Sequence, residues 1–187
     1  MINHCGSKEI KTERLLLRAF RAEDAEIIFS KWTSDARVAE YTTWYAHSSV
    51  EDTKGYVNYI LSMDKNTSYN WVVEAGGSAI GAINVCYSDE RLELAGLAYV
   101  FSYESWGKGY ATEAARAVSQ FLFGIGYRKI IAGCDEKNKG SVRVLEKIGM
   151  KQEGCFRKQI LRKDGSYGDD LQFGLFRDEL CTGNEVL

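Results

Sequence analysis

The stretch AIGAINVCY, residues 79–87, is almost continuously apolar, and it limits the folds open to this chain more than any other segment. A strand that is apolar on both faces needs a covering layer on each, as at the centre of α/β sheets. YNWVVEA, residues 69–75, predicts a second strand, and Gly76 and Gly77 between the two are typical of a hairpin turn. We therefore expect this hairpin at the centre of a sheet with helices on both faces.

The rest of the chain alternates strand and helix patterns. Residues 13–20 are too short for a helix and predict a strand, whereas residues 22–32 carry apolar side chains at helical spacing. Ser48 and Glu51 match a capping box at the start of a second helix. The order β-α-α-β-β-β-α-β-α-β-β predicts a single α/β (α+β) domain over residues 1–187, with a mixed sheet of about seven strands. The later strands are predicted at 94–102, 128–134, 151–161 and 168–176, and the later helices at 110–126 and 141–149.

Composition and charge argue against several classes of protein. A formal net charge of −2 is unlike a dedicated nucleic-acid binder, and no apolar run approaches the roughly 18 residues that span a bilayer. Widely spaced cysteines and two histidines indicate no disulfide framework, metal site or histidine-centred triad. We expect a cytoplasmic monomer or homodimer with reduced thiols and no metal, nucleic-acid or membrane partner. The residues concerned are Cys5, Cys86, Cys134, Cys155, Cys181, His4 and His47.

The stretch SWGKGYATEAARA, residues 105–117, lies between a predicted strand and a predicted helix. Gly107 and Gly109 allow positive φ and a close approach of the backbone to a ligand. The start of the following helix presents free N–H groups and the positive end of its dipole, which suits a phosphate or pyrophosphate. Lys108 adds a positive charge at the rim. From the turn alone, a purely structural connection into the helix is the simpler interpretation.

Two common nucleotide motifs do not fit this turn. A Walker loop needs GxxxxGK followed by Ser or Thr, which the chain lacks. A dinucleotide fingerprint needs a third glycine or alanine where Thr112 stands, and it needs the first βαβ unit of a parallel sheet. With these two motifs excluded, the pattern that describes the turn is GxGxA after an antiparallel strand.

The segments around the turn resemble the GNAT superfamily of acetyl-CoA-dependent N-acetyltransferases. The resemblance is carried by YVFSYESWGKGYATEA, residues 99–114, and DEKNKGSVRVLEKIGMKQEG, residues 135–154. In the family motif Q/R-x-x-G-x-G/A, Trp106 takes the first position, Gly109 the first glycine and Ala111 the last small residue.

A tryptophan at the first motif position is similar to the Rim-type branch, whose members acetylate the N-termini of ribosomal proteins. TERLLLRAFRAEDA, residues 12–25, and DGSYGDDLQFGLF, residues 164–176, resemble that branch as well. The resemblance thus covers about residues 12–177.

The resemblance implies where acetyl-CoA would bind. Its pyrophosphate would lie on the backbone amides of Gly107–Thr112, and its pantetheine arm would pair with residues 99–101 as an added strand. A splay between the strands at 94–101 and 128–134 would make room for that arm. Asn138 matches the family asparagine that contacts the arm, although it could simply cap a helix. The cofactor-binding residues so implied are Tyr99, Val100, Phe101, Trp106, Gly107, Lys108, Gly109, Tyr110, Ala111, Thr112, Asn138 and Ser141.

Acetyl transfer needs a neutral amine, a donor to the developing oxyanion and a proton for the thiolate of CoA, the second product. Direct transfer needs no protein nucleophile, which suits a chain without a triad. The Val100 amide is the expected oxyanion donor. Many relatives use a tyrosine as the acid where this chain has Leu145, whereas Rim-type proteins resemble it in having leucine there and a serine at the position of Ser141. The Ser141 hydroxyl could donate to the thiolate or cap the helix.

The general base is not evident. Many family members carry an acidic residue on the fourth strand, at the position that aligns with Gly96. Glu93 is the nearest acidic candidate, but strand alternation places it on the opposite face unless a bulge intervenes. A chain of waters could replace a side-chain base.

The aromatic segment YTTWYAH, residues 41–47, predicts part of an acceptor pocket. Trp44 and Tyr45 lie in a predicted loop, which favours ligand contact. Trp32 and Tyr99 are further candidates for contact with the acceptor, as is Trp71, although core packing is the simpler role for the two tryptophans.

Three functions fit these observations. The first is acetylation of a protein or peptide N-terminal α-amine, and the second is acetylation of a small amine such as an antibiotic, polyamine or amino acid. The third is a non-catalytic acyl-CoA-binding module, which the glycine at position 96 and Leu145 keep open.

Overall fold

A computed structural model describes residues 1–180 of the chain. Within them, eight strands form one sheet in the order β1-β2-β3-β4-β5-β6-β8-β7, accompanied by five α-helices. The α/β fold predicted from the sequence is confirmed, with one strand more than expected because the two-residue β1 is too short to show a pattern. The strands are Ile10–Lys11 (β1), Leu15–Arg18 (β2), Asn70–Ala75 (β3), Ser78–Asp89 (β4), Leu94–Phe101 (β5), Lys129–Asp135 (β6), Lys151–Leu161 (β7) and Tyr167–Phe176 (β8). The helices are Asp24–Ile28 (α1), Ala36–Ala39 (α2), Val50–Ser62 (α3), Tyr110–Gly124 (α4) and Lys139–Lys147 (α5).

The chain divides into two compact units. The turn unit comprises His4–Val85 and Ala98–Ala114, and it contains the glycine turn. The hairpin unit comprises Met1–Asn3, Cys86–Leu97 and the described residues from Ala115 onward, and it contains the β7–β8 hairpin. A single domain over the whole chain stays a prediction.

The hairpin of β3 and β4, which the sequence predicts, lies in the turn unit. β3 and β4 pair antiparallel, and Gly76 and Gly77 connect them with φ of +57° and +80°. The expected capping box is displaced by one residue, because Ser49 rather than Ser48 accepts the backbone N–H of Asp52 and begins α3. Apolar residues of α1, α3 and the hairpin form a common core.

A buried ion network stabilises the turn unit. Arg18 donates two hydrogen bonds to the Asp24 carboxylate, at 2.8 and 2.7 Å, and a third to Glu74 at 2.7 Å. Asp24 lies in α1 and is 3% exposed, so it would be left as an unpaired buried charge without Arg18. The hydrogen bond to Asp24 raises the pKa of Arg18, and the network ties α1 to β2 and β3.

In the hairpin unit, β5 pairs in parallel with β6 over Leu94–Gly96 against Lys129–Ile131. β6 and β8 pair antiparallel, as do β8 and β7. Helix α5 ends before Gly149, whose φ of +98° confirms the glycine stop predicted from the sequence.

Among the described residues, none of the helices is long and apolar enough to cross a membrane, and no cluster of three or more metal-ligating side chains occurs. The four cysteines in residues 1–180 are free thiols. Cys181 and the remainder of the C-terminal segment lie outside the described residues.

Candidate active site

The glycine turn has the local geometry of an anion-binding cradle. Gly107 and Gly109 both have positive φ, +74° and +79°, and α4 begins immediately after them at Tyr110. A Cβ atom on Gly107 would meet no heavy atom within 4 Å, and one on Gly109 would meet only Nη2 of Arg14, at 3.4 Å. The backbone therefore lies open beside a helix start, as the binding of a phosphate group requires.

An ion pair from the connection between β1 and β2 supports this turn, and the sequence gives no sign of it. Arg14 precedes β2, and its Nη2 lies 2.7 Å from the carboxylate of Glu113 in the first turn of α4. Arg14 also donates to the carbonyl of Lys108 at 3.0 Å. Thr12 donates its hydroxyl to the same Glu113 carboxylate at 2.5 Å. Only the three-dimensional fold reveals these contacts, because about a hundred residues separate the partners.

Trp106 closes the loop between β5 and the turn. Its indole N–H donates to the carbonyl of Phe101 at 2.9 Å, and its ring lies 5.0 Å from that of Tyr103. The guanidinium of Arg37 lies 3.8 Å from the centroid of Tyr103, on the ring face. Trp106 thus has a structural contact within its own loop, while 47% of its surface is exposed beside the turn.

The end of β5 is packed closely against β4. A Cβ atom on Gly81 would lie 2.5 Å from the carbonyl oxygen of Val100 and 2.7 Å from the ring of Phe101. Ser102 donates its N–H to Ile80 at 2.8 Å. This close approach requires glycine at position 81, and it holds the backbone of residues 99–101 in one place.

Helix α5 begins with a side-chain cap. Asn138 accepts the backbone N–H of Ser141 at 3.0 Å, so Asn138 takes the capping role and Ser141 does not. The prediction that the Ser141 hydroxyl caps the helix is therefore wrong. The Ser141 side chain instead interacts with Cys134, where burial raises the pKa of the thiol to about 11 although the hydrogen bond from Ser141 opposes this.

An arginine–carboxylate pair also supports the start of α5. Arg162 of the β7–β8 turn donates to both oxygens of Asp135, at 2.7 and 2.8 Å, and to Glu136 at 3.0 Å. Asp135 is 4% exposed and also accepts the N–H of Lys137 at 2.8 Å. The hydrogen bonds from Arg162 lower the pKa of Asp135 despite its burial.

A family model described as "Acetyltransferase (GNAT) domain" matches residues 14–151. The chain belongs to this GNAT family. The uncharacterized N-acetyltransferase YnaD of Bacillus subtilis (strain 168) is 32% identical over 171 residues, which cover 91% of this chain and 98% of YnaD. The crystal structure of a GNAT-family acetyltransferase from Bacillus anthracis has a TM-score of 0.81 at 31% identity, covering 92% of this chain and 100% of that one.

RimL, a ribosomal L7/L12 α-N-protein acetyltransferase, has a TM-score of 0.83 at 18% identity and covers 92% of this chain and 99% of its own. At that identity the likeness shows the fold. RimL was solved in complex with coenzyme A, as a disulfide with one of its cysteines. The family model, YnaD and the Bacillus anthracis acetyltransferase show that the chain is an N-acetyltransferase.

The GNAT structure explains why position 96 carries no acid. A Cβ atom on Gly96 would lie 3.0 Å from Cβ of Tyr87 and 3.4 Å from Sγ of Cys86. A side chain at position 96 would therefore be in tight contact with β4, and Tyr87 would have to shift by a few tenths of an ångström to admit it. The departure from the family pattern is built into the packing of the strand.

Glu93 is poorly suited to be the base instead. It precedes β5, with φ of +50°, and its carboxylate pairs with the amino group of Met1 at 2.8 Å. This hydrogen bond lowers the pKa of Glu93, which weakens it as a proton acceptor. By contrast, burial raises the pKa of Asp170 on β8, although a hydrogen bond from Gln172 opposes this.

The aromatic candidates for the acceptor pocket separate by exposure. Trp32 is 1% exposed and belongs to the core. The prediction that it contacts the acceptor is therefore wrong, because its ring is not accessible to a ligand. Trp71 is fully buried and donates its indole N–H to Lys8. Tyr45 is 72% exposed in the predicted loop, while Trp44 and Tyr99 are partly buried. Tyr45 remains the most accessible candidate.

Proposed function

We propose that this chain transfers the acetyl group of acetyl-CoA directly to the α-amine at the N-terminus of a protein or peptide. The open glycine cradle at the start of α4 is the observation that carries the donor part of the proposal, since it offers backbone amides to a pyrophosphate. RimL, solved with coenzyme A, supports the same donor. Acetyl-CoA supplies the acetyl group in activated form, as a thioester.

In this proposal the amides of Gly107–Thr112 bind the pyrophosphate and the Lys108 side chain adds positive charge. The backbone of residues 99–101 pairs with the pantetheine arm, beyond the point at Gly96 where the parallel register of β5 ends. The carbonyl of Phe101 already accepts from Trp106, so the other backbone groups of this segment carry the pairing. Asn138 and Ser141 are assigned to the arm from the family resemblance.

The chemistry needs few side chains. The Val100 amide donates to the oxygen on which negative charge develops as the C–N bond forms and the C–S bond breaks. The Ser141 hydroxyl donates its proton to the departing thiolate and regains one, through water, from the attacking amine. The cap of α5 is supplied by the Asn138 side chain, which accepts the backbone N–H of Ser141, and the Ser141 hydroxyl is hydrogen-bonded with the Cys134 thiol. No protein nucleophile takes part in a direct transfer.

The missing acid at position 96 favours an α-amine as the acceptor. Without a strong base, the enzyme depends on the fraction of amine that is already neutral. An α-amino group, with a pKa of about 8, is roughly 10% neutral at pH 7, whereas a lysine side chain is less than about 0.1% neutral. An active site with Gly96, packed against Tyr87, in place of an acid therefore suits a protein N-terminus better than a polyamine or a lysine side chain.

Thiol release from acetyl-CoA tests the acceptor. One peptide has a free α-amine and no lysine, its matched control is N-acetylated and carries one lysine, and a third arm contains small amines. We expect release with the first peptide alone. Release with small amines alone would replace the proposal by small-amine acetylation, and binding of CoA without release in any arm would indicate a non-catalytic module.

The cytoplasmic location and the monomeric or homodimeric state stay predictions. The mass of the purified protein in solution tests the predicted oligomeric state.

A further inference from the structure

Arg14 holds the glycine turn through several contacts at once. Its Nη1 donates to the carbonyl of Lys108 at 3.0 Å, and Nη2 faces the position that a Cβ on Gly109 would occupy. Its guanidinium carbon lies 4.8 Å from the centroid of the Tyr110 ring, on the ring face. The contacted residues are three in succession, and they include the glycine between the loop and α4. A planar guanidinium can make these contacts together, whereas a lysine ammonium cannot.

Glu113 fixes Arg14 from the side of α4. Its carboxylate accepts from Nε of Arg14 at 2.7 Å, from the Arg14 backbone N–H at 3.0 Å and from the Thr12 hydroxyl. The backbone N–H of Glu113 in turn donates to Gly109 at 3.0 Å. Burial pushes the pKa of Glu113 upward, but the hydrogen bonds from Thr12 and Arg14 lower it overall, so the carboxylate is ionised at neutral pH.

The charge of Glu113 creates a problem that Arg14 solves. A carboxylate in the first turn of α4 stands where the helix dipole would otherwise attract a phosphate, and like charges there repel. Arg14 neutralises this carboxylate through Nε and Nη2, while its Nη1 donates to the Lys108 carbonyl of the turn. Its bond to the Lys108 carbonyl occupies the acceptor side of that peptide and so limits rotation of the turn.

We propose that Arg14 is a positioning residue for acetyl-CoA: clamped by Glu113, it holds the Gly107–Thr112 turn in the conformation that presents its amides to the pyrophosphate. The inference rests on the proposed binding of acetyl-CoA at this turn. It assigns a positioning role to a residue that precedes β2, outside the glycine motif, and that acts through the turn.

Calorimetric titration with CoA tests this role without catalysis. Arg14→Met should weaken CoA binding about tenfold, because the turn loses the stabilisation of about one charged hydrogen bond. Arg128→Met is the matched control, since Arg128 also lies over an aromatic ring, that of Phe176, and donates to a carbonyl, but in the hairpin unit. The control should bind CoA like the parent chain.

The outcomes separate the two proposals. If the parent chain itself does not bind CoA, the proposed function fails. If the parent binds and Arg14→Met binds equally well, the role of Arg14 is overturned while the proposed function stands. In turnover, the KM for acetyl-CoA should rise while kcat stays close to that of the parent.

Two further variants distinguish positioning from simple neutralisation of charge. Arg14→Lys keeps the charge but not the fork, and should recover only part of the affinity. Arg14→Met combined with Glu113→Gln also removes the carboxylate that Arg14→Met leaves unneutralised, and should recover only the part of the affinity that was lost to this charge. Full recovery of affinity in either variant would show that Arg14 acts through its charge alone and would overturn the positioning role. Arg14→Lys also provides a foldable variant if Arg14→Met is unstable.

Discussion

Helices α4 and α5 begin in opposite ways. At α5, the Asn138 side chain accepts the backbone N–H of Ser141, so the chain itself caps the helix start. At α4, two glycines with positive φ lead directly into Tyr110, with open space beside Gly107. The comparison teaches that a helix start can be stabilised by its own cap, as at α5, or left available to an anion, as at α4.

Both starts nevertheless depend on an arginine from a distant strand or turn. Arg14 pairs with Glu113 at α4, and Arg162 pairs with Asp135 just before α5. In each case the arginine donates to a carboxylate that lies next to the segment being held. The two helix starts therefore share an arginine–carboxylate pair. They differ in whether a side-chain cap accepts one of the first backbone amides.

The largest effect is expected at the open start. Gly109→Val places a β-branched residue at φ +79°, which costs about 1–3 kcal/mol in backbone strain, and also fills the cradle. We expect CoA affinity to fall about a hundredfold or more, as measured by calorimetric titration. Gly165→Val is the matched control, because Gly165 has φ +82° in the β7–β8 turn with similarly open surroundings. Equal affinity of Gly109→Val and the parent would exclude the turn as the phosphate site.

The local parts of this picture could be predicted from the sequence, and the long-range parts could not. Gly107 and Gly109 are visible as a turn because glycine tolerates positive φ. The capping box at α3 was expected one residue early because Ser48 and Ser49 are adjacent and both precede an acidic residue by three positions. Nothing local connects Arg14 with Glu113, which meet only once β2 has paired in the sheet.

Packing accounts for the other differences. The absence of an acid at position 96 is readable from the sequence, but the reason, the side chain of Tyr87 against that glycine, requires the register of the folded strands. Trp32 has helical spacing with its apolar neighbours, and its burial follows from that pattern more directly than acceptor contact does.

A second test concerns the capped start, at Ser141. Ser141→Ala should lower kcat roughly tenfold, less than for a strong general acid, because a thiolate is already a good leaving group. CoA affinity should fall less than kcat, since the Asn138 cap uses the backbone N–H of residue 141 and survives the substitution. Ser119→Ala, which removes a buried hydroxyl of α4 with no hydrogen-bond partner among the described residues, is the control and should leave kcat unchanged. An unchanged kcat in Ser141→Ala would remove Ser141 from the mechanism.

The third test asks whether Asn138 does more than cap. Asn138→Ala should reduce the free energy of unfolding by about 1 kcal/mol, measured by urea denaturation, because the amide of Ser141 loses its acceptor. Asn138→Ser retains a capping oxygen and should restore most of this stability. If both variants bind CoA like the parent, Asn138 is a cap alone. A loss of affinity in Asn138→Ser at restored stability would support contact with the cofactor arm.

The smallest expected effect is a difference in acid sensitivity between the two supports. Hydrogen bonds lower the pKa of Asp135 from 3.8 and that of Glu113 from 4.5, so each carboxylate stabilises the fold above its ordinary pKa and loses this contribution as the pH falls through its lowered value. The difference in unfolding free energy between the parent and Asp135→Asn should therefore be constant above about pH 5 and shrink below about pH 4. Glu113→Gln should follow the same course, beginning at a slightly higher pH. Denaturation curves that keep a constant difference down to about pH 3 would show that neither charge matters to its helix start, and that hydrogen bonding alone supports both.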